Sequence, residues 1–190
     1  MIHKAYLAKL ISILEATQIT KGDKPVDWEQ GFEDIIDLFR KARAANRRVY
    51  FIGNGGSAAI AEHMLTDFMK NGRVCTINLL GSSLVTCLGN DYGYEYVYEK
   101  SLSMLAAADD ILVAISSSGN SPNIVNAIRA AADRNVTIIT FSGFATDNKI
   151  RRLGHYNIYV PIKHYGLVES IHTVLLQQIV DNLTPSLPEA

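Results

Sequence analysis

An α/β fold, with a parallel sheet covered by helices on both faces, is what this sequence implies. Three features carry that expectation. Short runs that are apolar throughout recur along the chain, as in RVYFIG, DILVAIS and VTIITFSG, and strands buried on both faces read this way. Segments with apolar residues at helical spacing lie between them. The turns leaving the first and third runs, GNGGS and ISSSGNSPN, are rich in Gly, Ser and Asn, at the place where open α/β sheets bind ligands.

Along the chain, residues 4–18 place Tyr6, Leu7, Leu10, Ile11, Ile13 and Leu14 at helical spacing, and this helix should end before TKGDKP. WEQGFEDIIDLFRKARAANR repeats the pattern with Trp28, Phe32, Ile35, Ile36 and Phe39. Both helices precede the first strand. They suit either an appendage (residues 1–46) that packs on a partner subunit or part of the chain's own core, and the pattern leaves both open. From residue 47 the chain alternates. RVYFIG is a strand and a helix follows over 57–69. VCTINLL is a second strand, and GSSLVTCLGNDYGYEYVYEKSLSMLAA is two helices broken at GNDYG. DILVAIS is a third strand, and SPNIVNAIRAAADRN is a helix with Pro122 in its first turn. VTIITFSG is a fourth strand, TDNKIRRLG a short helix and YNIYVPI a fifth strand. A last helix covers 167–182, and TPSLPEA is read as a frayed tail. The expected architecture is one domain over 1–190: a three-layer sandwich with a five-stranded parallel sheet over 47–183.

Bulk properties narrow the function. A chain of 190 residues, 48% hydrophobic and 19% charged, suits a soluble globular domain. A net charge of -1 gives no reason to expect nucleic acid or a membrane surface as partner. Cys75 and Cys87 are too few for a disulfide framework and form no CxxC pair, which suits a reducing cytoplasm. The start, MIHKAYLAKLISILEATQ, lacks the apolar core and cleavage site of a signal peptide. No stretch reaches the roughly 20 apolar residues of a membrane span.

The turn GNGGS at 53–57 is not a GxGxxG with a ribose-binding acid about 20 residues on, and it lacks the Lys of a P-loop, so no nucleotide cofactor is expected. The turn at 115–123 is denser in hydroxyls: Ser116, Ser117, Ser118 and Ser121 open a helix. Hydroxyls and backbone N–H groups at a helix start make a neutral anion site, suited to a small phosphate monoester that must be released again. Ser121 also stands where an N-cap would. Two helices offer ionisable pairs. His63 and Asp67 are at i and i+4. Glu169 and His172 are at i and i+3, with Gln177 two turns beyond Glu169. Such spacing also fits surface, capping or packing pairs.

With GNGGS after the first strand, ISSSGNS after the third and VESIHTVLLQQ on the last helix, the chain resembles the sugar isomerase (SIS) fold. Within it the resemblance is to the phosphoheptose isomerases, over nearly the whole length and including LGNDYGYEYVYEK. The resemblance implies a flavodoxin-like topology, a homotetramer in which the N-terminal helices pack, and a sugar phosphate held by the serine loop. By position, Ser116, Ser117, Ser118 and Ser121 take the phosphate, Asn54 and Ser57 hold the phosphate end or the sugar hydroxyls, and Asp91 lies near the sugar. Family members carry His-x-x-x-Glu on the first helix and a Gln with a His eight residues later on the last helix. Some bind zinc there, and the Glu and later His are the acid–base pair. Here those positions are His63, Asp67, Glu169 and Gln177, so one is retained and three are changed. His, two carboxylates and an amide oxygen remain a divalent-metal set, whereas Gln177 cannot titrate. HMLTD with YGLVESIH also resembles a SIS branch with HxxxD followed by YGxVExxH, in which Asp67 and Glu169 belong.

The expectation is a phosphosugar aldose–ketose isomerase acting on a heptose phosphate by proton transfer between C1 and C2. Asp67 or Glu169 is the base, His172 the acid, and one zinc is held by His63, Asp67, Glu169 and Gln177. The two carboxylates are expected to meet in one cleft. His164, in the loop IKHYG, would approach a neighbouring site. The family's usual role implies heptose supply for a bacterial surface polysaccharide. The alternative, prompted by Gln177, is a phosphosugar-binding SIS protein that acts as a regulator or tetrameric scaffold of the kind that binds a replication initiator. A sugar-sensing transcription regulator would add a helix-turn-helix segment, which is not seen.

Overall fold

The computed structural model describes residues 3–183, and the tail TPSLPEA lies outside them. In chain order the elements are α1 (His3–Glu15), β1 (Gln18–Lys21), β2 (Lys24–Pro25), α2 (Trp28–Ala44), β3 (Arg48–Ile52), α3 (Gly56–Lys70), β4 (Cys75–Ile77), α4 (Ser82–Tyr92), α5 (Val97–Leu105), β5 (Ile111–Ser116), α6 (Pro122–Ala132), β6 (Thr137–Gly143), β7 (Tyr156–Val160) and α7 (Tyr165–Asp181). Short 3-10 turns cover Tyr94–Tyr96 and Lys149–Arg152.

The sheet has seven strands in the order β2-β1-β7-β6-β5-β3-β4, which corrects the expectation of a five-stranded, wholly parallel sheet. Five strands are parallel: β4 to β3, β3 to β5, β5 to β6 and β6 to β7. Counted among themselves they run 2-1-3-4-5, the doubly wound flavodoxin-like order. The other two form an edge hairpin, with β1 antiparallel to β7. It escaped the sequence reading because its strands are four and two residues long and end on Pro25. The helical spacing predicts a helix running to 18, but α1 stops at Glu15, and Thr17 turns its hydroxyl back to the Ile13 carbonyl at 3.0 Å.

Two apolar layers flank the sheet. On one face α2, α3 and α7 pack over β3, β5, β6 and β7. On the other, α4, α5 and α6 cover β3, β5 and β6. Residues 1–46 are therefore not uniformly an appendage: Phe32, Ile35, Ile36 and Phe39 of α2 are core residues. The aromatic ring of Phe68 sits 4.8 Å from Phe39 and 5.0 Å from Phe51, which ties α2, α3 and β3 together. By contrast α1 buries only Ile13 and leaves Leu7 and Ile11 more than half exposed. The break expected at GNDYG falls on Gly93, whose φ of 94° lies in the region that favours glycine. Among the described residues, no helix is long and apolar enough to cross a membrane.

The strand order reverses at β3, which has β4 on one side and β5 on the other. The crevice for a ligand therefore lies between the carboxyl ends of β3 and β5. GNGGS and SSSGNS are the two turns that leave those ends.

Candidate functional site

The turn after β3 is tight. Gly55 caps α3 with φ 54° and ψ −122°, a backbone conformation open to glycine. Ser57 donates its N–H to the Asn54 carbonyl at 3.0 Å and is buried. Gly56 begins α3, and its neighbour across the cleft is Glu169, in the second turn of α7. A Cβ at position 56 would stand 2.5 Å from Oε2 of Glu169 and 2.6 Å from Oε1. The missing side chain is what lets that carboxylate rest on the start of α3, where the helix dipole favours negative charge.

The turn after β5 has its serines in different states. Ser116 Oγ accepts from the Gly119 N–H at 3.2 Å, and Ser118 Oγ accepts from the Asn120 N–H at 3.3 Å. Ser121 is the N-cap residue of α6 but its hydroxyl makes no capping bond. The Ser117 hydroxyl is buried without any partner. Gly119, at φ 65°, lies so close to the Asn148 amide that no Cβ would fit there. Asn148 is itself buried and braces the turn, donating to the carbonyls of Gly143 and Ala145 at 3.1 and 2.9 Å.

The two turns are joined directly. Asn54 Nδ2 donates to Asn123 Oδ1 at 2.9 Å, and Asn123 Nδ2 donates back to Asn54 Oδ1 at 2.8 Å. The Tyr94 hydroxyl donates to the same Asn54 Oδ1 at 2.9 Å, and the Tyr98 hydroxyl to the Gly53 carbonyl at 2.6 Å. Val168, beside Glu169, packs on Gly143, which in turn lies against the Ser117 carbonyl. Thus Glu169, the GNGGS turn and the serine turn converge at one end of the sheet.

Other expected site residues lie elsewhere. His63 and Asp67 pair with each other at 3.5 Å, His63 largely exposed. About 16 Å of helix axis separates Gly56 from Asp67, so Asp67 and Glu169 do not meet in one cleft. Gln177 spends its amide on Asp181 at 2.8 Å. Among the described residues no group of three His, Cys, Asp or Glu could hold a metal. The expected zinc set of His63, Asp67, Glu169 and Gln177 is therefore not assembled: metal–ligand distances near 2 Å cannot span those gaps.

His172 is corrected too. It is fully buried, with Nε2 against the Ser142 carbonyl at 3.2 Å and its ring edge-on to Phe141. Burial pushes its pKa down to about 4. Its imidazole is shut in the core, with Nδ1 buried and without a hydrogen-bond partner. Asp91 is exposed on the last turn of α4, where it accepts from Asn90 Nδ2 at 2.9 Å. His164 caps α7, its Nδ1 accepting from the Leu167 N–H at 3.2 Å.

A cavity of about 610 Å³ lined by Lys21, Asp34, Lys41, His155 and Tyr156 lies at the amino ends of β6 and β7. It is at the opposite end of the sheet from the turns. The convergence of hydroxyls and a carboxylate, and not cavity size, locates the candidate site.

Sequence reasoning missed Tyr94, Tyr98, Asn123 and Asn148. Asn123, the second residue of α6, was the findable one, because an Asn there competes with the helix for backbone bonds.

Comparison with known proteins agrees with the fold. A family model described as SIS domain matches residues 6–143. The phosphoheptose isomerase of Nitratidesulfovibrio vulgaris is 38% identical, over 82% of this chain and 80% of its own. That of Bordetella avium is 33% identical, over 78% of this chain and 79% of its own. The solved structure of phosphoheptose isomerase GmhA from Neisseria gonorrhoeae superposes with a TM-score of 0.80 at 26% identity, covering 95% of each chain.

Proposed function

The chain belongs to the SIS domain family, among its phosphoheptose isomerases, and from that premise we propose that it interconverts a ketose and an aldose heptose phosphate such as sedoheptulose 7-phosphate. The observation that carries the site assignment is the carboxylate of Glu169 resting on Gly56, beside a turn with four serines.

In this reading Ser116, Ser117, Ser118 and Ser121 bind the phosphate, with the α6 N-terminus contributing N–H groups. The buried and unpartnered Ser117 hydroxyl supports that role, since such groups are rare unless something completes them. Ser57 and Asn54 line the sugar end. Glu169 is the base. It removes the proton from C1 of the ketose, electrons move to the C2 carbonyl, and O2 takes a proton from solvent to give the enediol. The protonated carboxyl then returns a proton to C2, while O1 becomes the aldehyde oxygen and gives up its hydrogen to solvent. No step is routed through the zinc that the resemblance implies, because His63, Asp67 and Glu169 do not meet. With His172 in the core, one carboxyl serves both transfers.

A homotetramer is part of the proposal. The half-exposed Leu7 and Ile11 of α1 support it, because apolar side chains grouped on one helix face suit a subunit contact; light scattering after gel filtration checks the mass. The activity is tested with C5 to C7 ketose phosphates in a coupled assay. Turnover is expected to be fastest with the heptulose, and no turnover across the series contradicts the proposal.

A further inference from the structure

Ile124 at the start of α6 fixes the polarity of a small network. Its backbone N–H can only donate, and it is shared between the Ser121 carbonyl and Asn123 Oδ1, each at 3.1 Å. That oxygen therefore accepts, and Asn123 Nδ2 must be the donor to Asn54 Oδ1. Asn54 returns the bond through Nδ2. Tyr94, whose hydroxyl also reaches Asn54 Oδ1, must then donate as well. An amide oxygen has two acceptor sites and an amide nitrogen two hydrogens. Both acceptor sites of Asn54 are filled and one hydrogen is used. A single N–H is left.

The segment that carries Tyr94 is held at several points. Tyr98 donates to the Gly53 carbonyl, and Asn126 of α6 donates to the Glu95 carbonyl at 3.0 Å. Asn123 is buried, whereas Tyr94 keeps about half of its surface exposed at the rim.

We infer that Asn123 and Tyr94 are positioning residues for the phosphosugar cleft: they lock the two ligand turns at a fixed separation and leave Asn54 able to meet a ligand only as a hydrogen-bond donor. Asn54 then selects for an oxygen acceptor, a carbonyl or an ester oxygen of the sugar phosphate, and not for a sugar hydroxyl acting as donor. The inference rests on the isomerase reading of the same cleft but makes a separate claim about it.

The test uses Tyr94→Phe, Asn123→Ala, Asn54→Ala and the Asn54→Ala/Tyr94→Phe pair in the full chain. Kinetics with sedoheptulose 7-phosphate are read beside calorimetric affinities for that sugar phosphate and for inorganic phosphate. Tyr94→Phe should raise KM about tenfold, change kcat less than threefold and leave inorganic phosphate affinity within twofold. In the Asn54→Ala background it should add nothing, because it acts through Asn54. Additive effects, or a Tyr94→Phe that leaves KM unchanged, overturn the inference. If the wild type turns nothing over, the isomerase reading fails alone. The calorimetric affinities then decide the positioning claim by the same pattern: a tenfold loss for the sugar phosphate, none for inorganic phosphate, and no added loss in the pair. A uniform loss for both ligands, or no loss, overturns it. Asn123→Ala should weaken the sugar phosphate as Tyr94→Phe does if it folds. The Tyr94 pattern decides the matter if Asn123→Ala does not fold.

Discussion

Replacing Gly56 by Ala should cripple the site while sparing the fold. The new Cβ would lie 2.5 Å from Glu169 Oε2, where ordinary contact begins at 3.4 Å, so the carboxylate must retreat by about 1 Å. The obstacle is the tip of a flexible side chain, so the retreat costs the folded state little. Gly to Ala inside a helix returns up to about 1 kcal/mol of propensity, and thermal unfolding should shift by only a few degrees. A misplacement of about 1 Å at a reacting group costs on the order of 100-fold in rate, equivalent to about 3 kcal/mol of barrier. We therefore expect kcat/KM for sedoheptulose 7-phosphate to fall about 100-fold with Tm nearly unchanged. Adding Glu169→Asp, which shortens the side chain by one methylene, should make the two changes non-additive: Gly56→Ala/Glu169→Asp should be little worse than Glu169→Asp alone. A Gly56→Ala enzyme within threefold of wild type would refute the placement of the base on the start of α3.

Other consequences follow from individual residues. Ser117→Ala should weaken phosphate binding by calorimetry yet raise Tm slightly, because it removes a buried hydroxyl that has no hydrogen-bond partner within the chain. His172 titrates near 4 in the folded chain against 6.5 when exposed. As pH falls through 6.5 the unfolded chain takes up that proton and the folded chain does not. The contribution is therefore fully present above pH 6.5 and about 3 kcal/mol of it is lost by pH 4. Denaturant melts of wild type and His172→Phe between pH 7 and 4 should show a shallower decline in the variant, and equal slopes would contradict the buried neutral ring. Dialysis against a chelator should leave the isomerase rate within twofold, since no metal ligand set is assembled among the described residues.

Most of the layered fold was legible because buried parallel strands announce themselves. Ile111–Ser116 is buried at every position and reads as an unbroken apolar run. The edge hairpin was not legible, because Gln18–Lys21 alternates over only four residues and its stability comes from pairing with β7. The serine turn was legible from composition. Partnerships between distant residues were not: nothing local in GNGGS says that its third Gly, Gly56, makes room for a carboxylate more than 100 residues later. His172 shows the opposite failure. Spacing on a helix placed it one turn from Glu169, but spacing cannot say that the next turn points into the core. Likewise His63 and Asp67 share a helix face, yet sit too far along α3 to reach Glu169.

The decisive measurement is proton NMR of sedoheptulose 7-phosphate incubated with the enzyme in heavy water. The account predicts aldose product with solvent deuterium incorporated at the carbons that exchange a proton, C1 of recovered ketose and C2 of aldose. It also predicts that Glu169→Gln, folded by circular dichroism, loses this incorporation by a factor of 100 or more. Wild-type incorporation that survives undiminished in Glu169→Gln would contradict the assignment of Glu169 as the base.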